Sequence, residues 1–261
     1  MMNQLPANTG WLWVKQGFGY FRRRPMEFSS MFLGYLFLML ILGFVPILGQ
    51  ILAFVFLPLF TLAFMQACRE IDRGKPVHPR LLLYGFRSPQ AAKLMQLGVL
   101  YLVAAMVALG SSFLIDDGVF WQAITGQIQL NAKTVEDTNM IGAMFFSFLV
   151  YIPALIAFWF AGPLIAWQEM PLLKAIFYSF FASLRSWRVF VVYGLSWFVV
   201  GGLLPMFFST LIAAITGNPN FIILIMMPFS MVLNIILYCS FYPSYVSVFG
   251  QPADNAESTM S

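Results

Sequence analysis

The chain has 261 residues, of which 61% are hydrophobic and only 9% charged, with a mean hydropathy of +0.83 and a formal net charge of +4. A soluble domain carries about 25% charged residues, so polar surface is too scarce to coat a water-soluble globule and the bilayer is the solvent for most of the chain. The basic excess is therefore not a nucleic-acid signature; as a belt along one face it suits anionic lipid headgroups.

Taken in chain order, the apolar segments predict six transmembrane helices, over residues 28–45, 50–68, 94–115, 140–167, 189–215 and 221–249. Each approaches or exceeds the ~20 residues needed to cross hydrocarbon. Residues 1–27 precede them, and the polar tail 250–261 follows. Gly43, Pro46 and Gly49 predict a tight turn between spans one and two,. The stretch from Asp116 to Asn139, with Asp116, Asp117, Glu136 and Asp137, reads as the one sizeable outer loop. Gly217-Asn218-Pro219-Asn220 is the turn into span six. No cleavable signal peptide is evident, so span one is expected to serve as its own insertion signal.

Of the fourteen lysines and arginines, all except Lys133 fall outside the spans on alternate connections. Cytoplasmic loops retain Lys and Arg, so both termini are expected in the cytoplasm. Cys68 and Cys239 lie on or within spans, away from the outer face, which argues against a disulfide framework,.

Two inner connections and the N-terminus read as amphipathic helices lying in the headgroup plane. From Leu173 to Trp187, the residues Leu173, Ile176, Phe177, Phe180, Leu184 and Trp187 share one face at helical spacing,. Trp11, Val14, Phe18 and Phe21 do the same ahead of Arg22-Arg23-Arg24-Pro25, and residues 80–87 form a shorter version. This order (interfacial helix, span, outer turn, span) suggests a parallel internal repeat. It lays Lys15-Gln16-Gly17-Phe18 against Lys174-Ala175-Ile176-Phe177; aromatic-rich membrane sequence also produces such echoes by chance.

The sequence carries no phosphate-binding Gly loop, no H-E-x-x-H and no CxxC pair,. His78 is the only histidine and reads as a loop residue near headgroups. The expectation is a non-enzymatic protein with neither cofactor nor metal. The expected partners are membrane lipids, with a homo-oligomer or another membrane protein as further possibilities and no nucleic acid. Candidate headgroup or partner contacts are Arg22, Arg23, Arg24, Arg69, Arg73, Lys75, Arg80, Arg87, Arg185 and Arg188. Gln66 and Asn234 are the candidate intramembrane polar site, with an interhelical hydrogen bond as the plainer reading for Asn234,. Pro58, Pro153, Pro163, Pro205, Pro228 and Pro243 read as kinks, or as breaks around a transport site between spans four to six,. Gly194, Gly201 and Gly202 read as close helix contacts,. The functional expectation is a scaffold, assembly or lipid-interacting protein of the inner membrane; the alternative is a transporter or lipid translocator.

The run Ala67-Cys68-Arg69-Glu70-Ile71-Asp72-Arg73-Gly74-Lys75-Pro76-Val77, then Tyr84-Gly85-Phe86-Arg87, and the opening Gly10-Trp11, Gly17-Phe18 and Phe21-Arg22-Arg23 with Pro25 resemble an uncharacterised family of proteobacterial six-span inner-membrane proteins. The layout is more loosely similar to the membrane domain attached to some glycerophosphodiester phosphodiesterases. The resemblance implies a bacterial inner-membrane location and transfers no activity.

Overall fold

The computed structural model describes residues 5–128 and 138–252, and among them there is helix and no strand. Six helical stretches are long and apolar enough to span a bilayer: Pro25–Gly43, Leu48–Asp72, Ala91–Asp116, Met140–Trp167, Trp187–Thr216 and Asn220–Phe249. These are spans one to six. The chain is an all-α polytopic membrane protein. In hydrocarbon every backbone amide must find a partner inside the protein, and helices satisfy that locally.

Where the helices turn, the backbone needs what the sequence supplies. Gly217 closes span five in the left-handed region at φ +59°,. Asn218 then caps span six, its side-chain oxygen accepting the Asn220 N–H at 2.9 Å, and Pro219 fills the first helical position,. The turn between spans one and two is tighter, with Ile47 at φ +62° and the backbone of Gly49 pressed on the Leu42 carbonyl. Of the loop expected over 116–139, Val119–Ile124 is helical. The Asp116 carboxylate organises its start, accepting from Gly118 N at 3.1 Å and Phe120 N at 2.7 Å. Lys133, Glu136 and Asp137 lie outside the described residues.

Two spans are interrupted. Span four consists of α8 (Met140–Phe158) and α9 (Ala161–Trp167). The break frees the Phe160 N–H, which donates to Ser179 Oγ at 2.9 Å. Span five consists of α11 (Trp187–Trp197), a π-helical segment Phe198–Leu203 and α12 (Leu204–Thr216). Gly201 and Gly202 sit in that wider turn and meet only Trp197 and Phe198 of their own helix, while nothing lies near Gly194. The expectation that these three glycines mediate helix contacts is corrected: Gly201 and Gly202 lie in the widened turn and Gly194 faces open space in the helix before it. Glycines that do admit a neighbouring backbone include Gly10, against Val189, Gly17, against Ile236, Gly98, against the Val55 carbonyl, and Gly85, against Leu59.

The core centres on span two, whose residues from Leu62 to Glu70 are all buried. Phe64 stacks on Tyr238 of span six with ring centroids 4.8 Å apart, and Tyr35 of span one meets Phe60 at 5.2 Å. Lipid tails are as apolar as these side chains, so close packing rather than water exclusion holds the spans together.

Three amphipathic segments ring the basic end of the bundle. They are α1 (Thr9–Arg23), the turn Pro79–Leu83 with α4 (Tyr84–Arg87), and α10 (Leu172–Arg185). Each docks on the hairpin that precedes it in cyclic order: α1 on spans five and six, α4 and its turn on spans one and two, α10 on span four. Each segment ends in an arginine, Arg23, Arg87 or Arg185. Matching those ends sets Gly17 against Ser179, three residues from the register that pairs Gly17 with Ile176. Both residues are buried on the docking face. A Cβ on Gly17 would come within 2.8 Å of the Ile236 carbonyl, and Ser179 receives the Phe160 N–H.

The faces also differ from expectation. In α10 the residues turned to the protein are Ala175, Ser179, Ala182 and Ser183, while Leu173, Phe177, Phe181 and Leu184 are exposed. In α1 the buried residues include Trp13, Val14 and Gly17, whereas Trp11 and Leu12 are exposed. In α10 small residues make the protein contact and large apolar ones are left for the membrane, whereas α1 docks by Trp13 and Val14 together with its small residues. Hydrophobic periodicity alone does not separate those two burials.

Candidate functional site

At the basic end, the chain after span two folds back on itself around one buried carboxylate. Glu70 is 8% exposed. It accepts from Gln66 Nε2 at 2.7 Å and lies 3.9 Å from Arg73 and 3.8 Å from Lys75. Gln66 also accepts the Trp167 indole N–H at 3.1 Å, which joins span two to span four. Arg69 is 2% exposed, sits over the Trp167 ring at 5.6 Å and donates to the Pro252 carbonyl at 3.3 Å. A buried cation survives only with partners, and here the aromatic face and the Pro252 carbonyl are among them. Burial raises the Tyr84 hydroxyl pKa, and the nearby Arg69 charge opposes that shift.

This corrects part of the expected headgroup set. Arg69 is enclosed and out of reach of a lipid surface, and Arg73 is largely covered and paired. Gln66 is fully engaged in the joint and lines no cavity among those described. Gln66 and Asn234 are not brought together. Asn234 is exposed, and its amide donates to the Ser230 carbonyl of its own helix at 2.9 Å, in place of an interhelical bond.

The remaining expected residues are open. Arg22, Arg23, Arg24, Lys75, Arg80, Arg87, Arg185 and Arg188 are exposed on the basic face. Arg188 lies over the Trp187 ring at 5.6 Å, and Arg24 bonds Glu27 at 2.9 Å. Glu27 Oε2 in turn accepts the Val77 N–H at 2.6 Å, fixing the loop after span two to the start of span one.

Sequence reasoning missed a cleft of about 620 Å³ between α1 and the end of span six. Lys15, Gln16, Arg23, Ser247 and Gln251 line it, with Leu12 and Val246 as apolar walls. Its one carboxylate, Asp72, is already engaged by Tyr20 Oη at 2.7 Å and by Arg23 at 3.3 Å. Burial, followed by the bond to Asp72, raises the Tyr20 hydroxyl well above the ordinary tyrosine range. The cleft exists because α1 crosses span six, with Gly17 against Ile236 and Trp13 bonded to Ser247 at 2.9 Å. The spacing of Lys15 and Arg23 on an amphipathic helix was visible, but the wall from span six was not. No group of three or more His, Cys, Asp or Glu residues is placed to hold a metal among the described residues.

Six spans, a filled aromatic core and a basic collar of amphipathic helices define a polytopic integral membrane protein. Over 252 residues the chain is 34% identical to a probable inner membrane protein of Burkholderia thailandensis, covering 95% of this chain and 93% of that protein. The chain belongs to that family of multi-pass inner-membrane proteins. No protein-family model and no solved structure matches it. The looser likeness to the phosphodiesterase membrane domain therefore rests on sequence layout alone.

Proposed function

We propose that this is a non-enzymatic, lipid-interacting protein that gathers anionic phospholipid on the cytoplasmic face of the inner membrane. The observation that carries this reading is the cleft between α1 and span six. Its two cations, Lys15 and Arg23, face one carboxylate that is already bonded. Its volume of about 620 Å³ falls within the ~300–1,000 Å³ of small-molecule sites. The exposed arginines around it add attraction for an anionic leaflet of about 1 kcal/mol per charge near the surface. The outward aromatic faces of α1 and α10 seat those charges at headgroup depth,. With both termini cytoplasmic, as alternate basic connections require, the collar faces the leaflet it suits.

The test is lipid selection in nanodiscs of mixed phosphatidylethanolamine and phosphatidylglycerol. The full-length protein is expected to enrich phosphatidylglycerol, less so as salt rises. Lys15→Gln combined with Arg22→Gln, Arg87→Gln and Arg188→Gln should remove the enrichment. Equal lipid composition around wild type and variant would refute the proposal.

A further inference from the structure

We propose that the protein also holds a neutral acylglycerol at the centre of the membrane, in a second cleft between spans two, three, four and six. This site is separate from the headgroup cleft and does not depend on it. Its volume is about 280 Å³, and its polar lining comes from Thr61, Tyr101, Tyr151, Trp159, Asn234 and Tyr238. An expected transport site between spans four to six would have omitted spans two and three, which supply Thr61 and Tyr101.

Depth is the first argument. Asn234 is fifteen residues from Pro219 and fifteen from Phe249, the exact middle of its helix. At 1.5 Å per residue that is about 22 Å from either end. Thr61, Tyr101 and Tyr151 each lie in the middle third of their own spans. Four spans thus bring polar groups to one level, where no bulk water satisfies them and polar residues are costly.

The second argument is which atoms remain unbonded. Thr61 donates to Leu57, Tyr101 to the Phe158 carbonyl at 3.3 Å, Trp159 to Ser244 at 3.4 Å, and Tyr238 pairs with Tyr35 at 3.5 Å. The Asn234 amide nitrogen is used by Ser230. Neither the Asn234 Oδ1 acceptor nor the Tyr151 hydroxyl has a partner among the described residues. The cleft therefore offers an unused acceptor at Asn234 Oδ1 and an unused donor at the Tyr151 hydroxyl, with apolar walls from Leu57, Leu155 and Leu237.

The third argument is charge. No Asp, Glu, Lys, Arg or His lines the cleft, so a phosphate there would be an unpaired ion in a low-dielectric site. The complementary occupant is uncharged and carries both a hydroxyl and a carbonyl on an otherwise apolar body. A diacylglycerol fits: its free hydroxyl donates to Asn234 Oδ1, and an ester carbonyl accepts from Tyr151 Oη. Asn234 is exposed, so the cleft is unsealed and the acyl chains can trail into the bilayer.

Native mass spectrometry of the full-length protein with added dioleoylglycerol tests this. The wild type is expected to retain one dioleoylglycerol. Asn234→Leu and Tyr151→Phe should each weaken retention about tenfold, the effect of losing one hydrogen bond where no bulk water replaces it. Tyr151→Phe removes an unpaired hydroxyl and Asn234→Leu gives up only a bond within its own helix, so the fold should stay intact, which thermal unfolding checks. Phosphatidylglycerol retention, which reports on the headgroup cleft, should be unchanged in both variants. No dioleoylglycerol adduct on the wild type, or equal adducts on wild type and both variants, would overturn the proposal whatever the phosphatidylglycerol result.

Discussion

The indole N–H of Trp167 donates to the Gln66 side-chain oxygen at 3.1 Å, while the Gln66 amide donates onward to Glu70 at 2.7 Å. A residue that reads in sequence as an intramembrane polar site is therefore a joint between two spans. Gln66→Leu leaves the buried Trp167 donor without its acceptor. It should destabilise the protein by about 1–3 kcal/mol, seen as a lower melting temperature in detergent with phosphatidylglycerol enrichment retained. Loss of lipid selection with unchanged stability would return Gln66 to the binding site.

Glu70 is buried and balances a largely covered Arg73 and a half-exposed Lys75. Removing the carboxylate strands the Gln66 amide donor and costs about 1–3 kcal/mol, below the ~3–5 kcal/mol of a fully buried pair because water reaches Lys75. Glu70→Leu should unfold at markedly lower temperature than wild type. Thermal melting of the two proteins side by side checks this, and near-equal midpoints would mean that water already screens the cluster.

Two glycines should behave oppositely. A Cβ on Gly98 meets the Val55 carbonyl, so Gly98→Ala forces spans two and three apart and should cost about 1–3 kcal/mol, as overpacking does,. Gly194 has open space around it, and Gly194→Ala should stabilise the helix by up to about 1 kcal/mol,. Denaturant titration of both variants gives the comparison, and a stability loss at Gly194 would place a neighbour there.

Burial of the Tyr20 hydroxyl, reinforced by its bond to Asp72, gives a pH signature. The folded state holds the Tyr20 proton more tightly than the unfolded chain, whose tyrosine titrates near pH 10,. The native protein then binds more protons than the unfolded one as pH rises past about 10, and stability falls there while being fully present below it. Melting temperatures taken from about pH 8 to 11 should drop more steeply for wild type than for Tyr20→Phe. Parallel profiles would show that the hydroxyl is neither buried nor held by Asp72.

The spans were readable because hydrophobic length is a strong local signal, and both ends of all six spans fall within four residues of those expected from sequence. The Gly-Asn-Pro turn before span six was readable for the same reason: cap, acceptor and first helical residue are adjacent in sequence. What escaped depends on pairing across the bundle. Nothing local distinguishes Arg69, enclosed by Trp167 and Pro252, from exposed Arg80. Nor does periodicity reveal that α10 docks by its serines and alanines, since the aromatic stripe of Phe177 and Phe181 is the louder signal. The midplane cleft needed Thr61, Tyr101, Tyr151 and Asn234 to be brought to one depth, and only the packing of four spans does that.

The sidedness of the basic collar underlies the proposed lipid role. His78 is exposed in the loop after span two, while the native thiols Cys68 and Cys239 are buried. A His78→Cys variant can therefore be labelled selectively with a membrane-impermeant maleimide on cells whose outer membrane has been opened. The account predicts no labelling until the inner membrane is also permeabilised. Full labelling before that step would put the collar on the outer face and contradict the account.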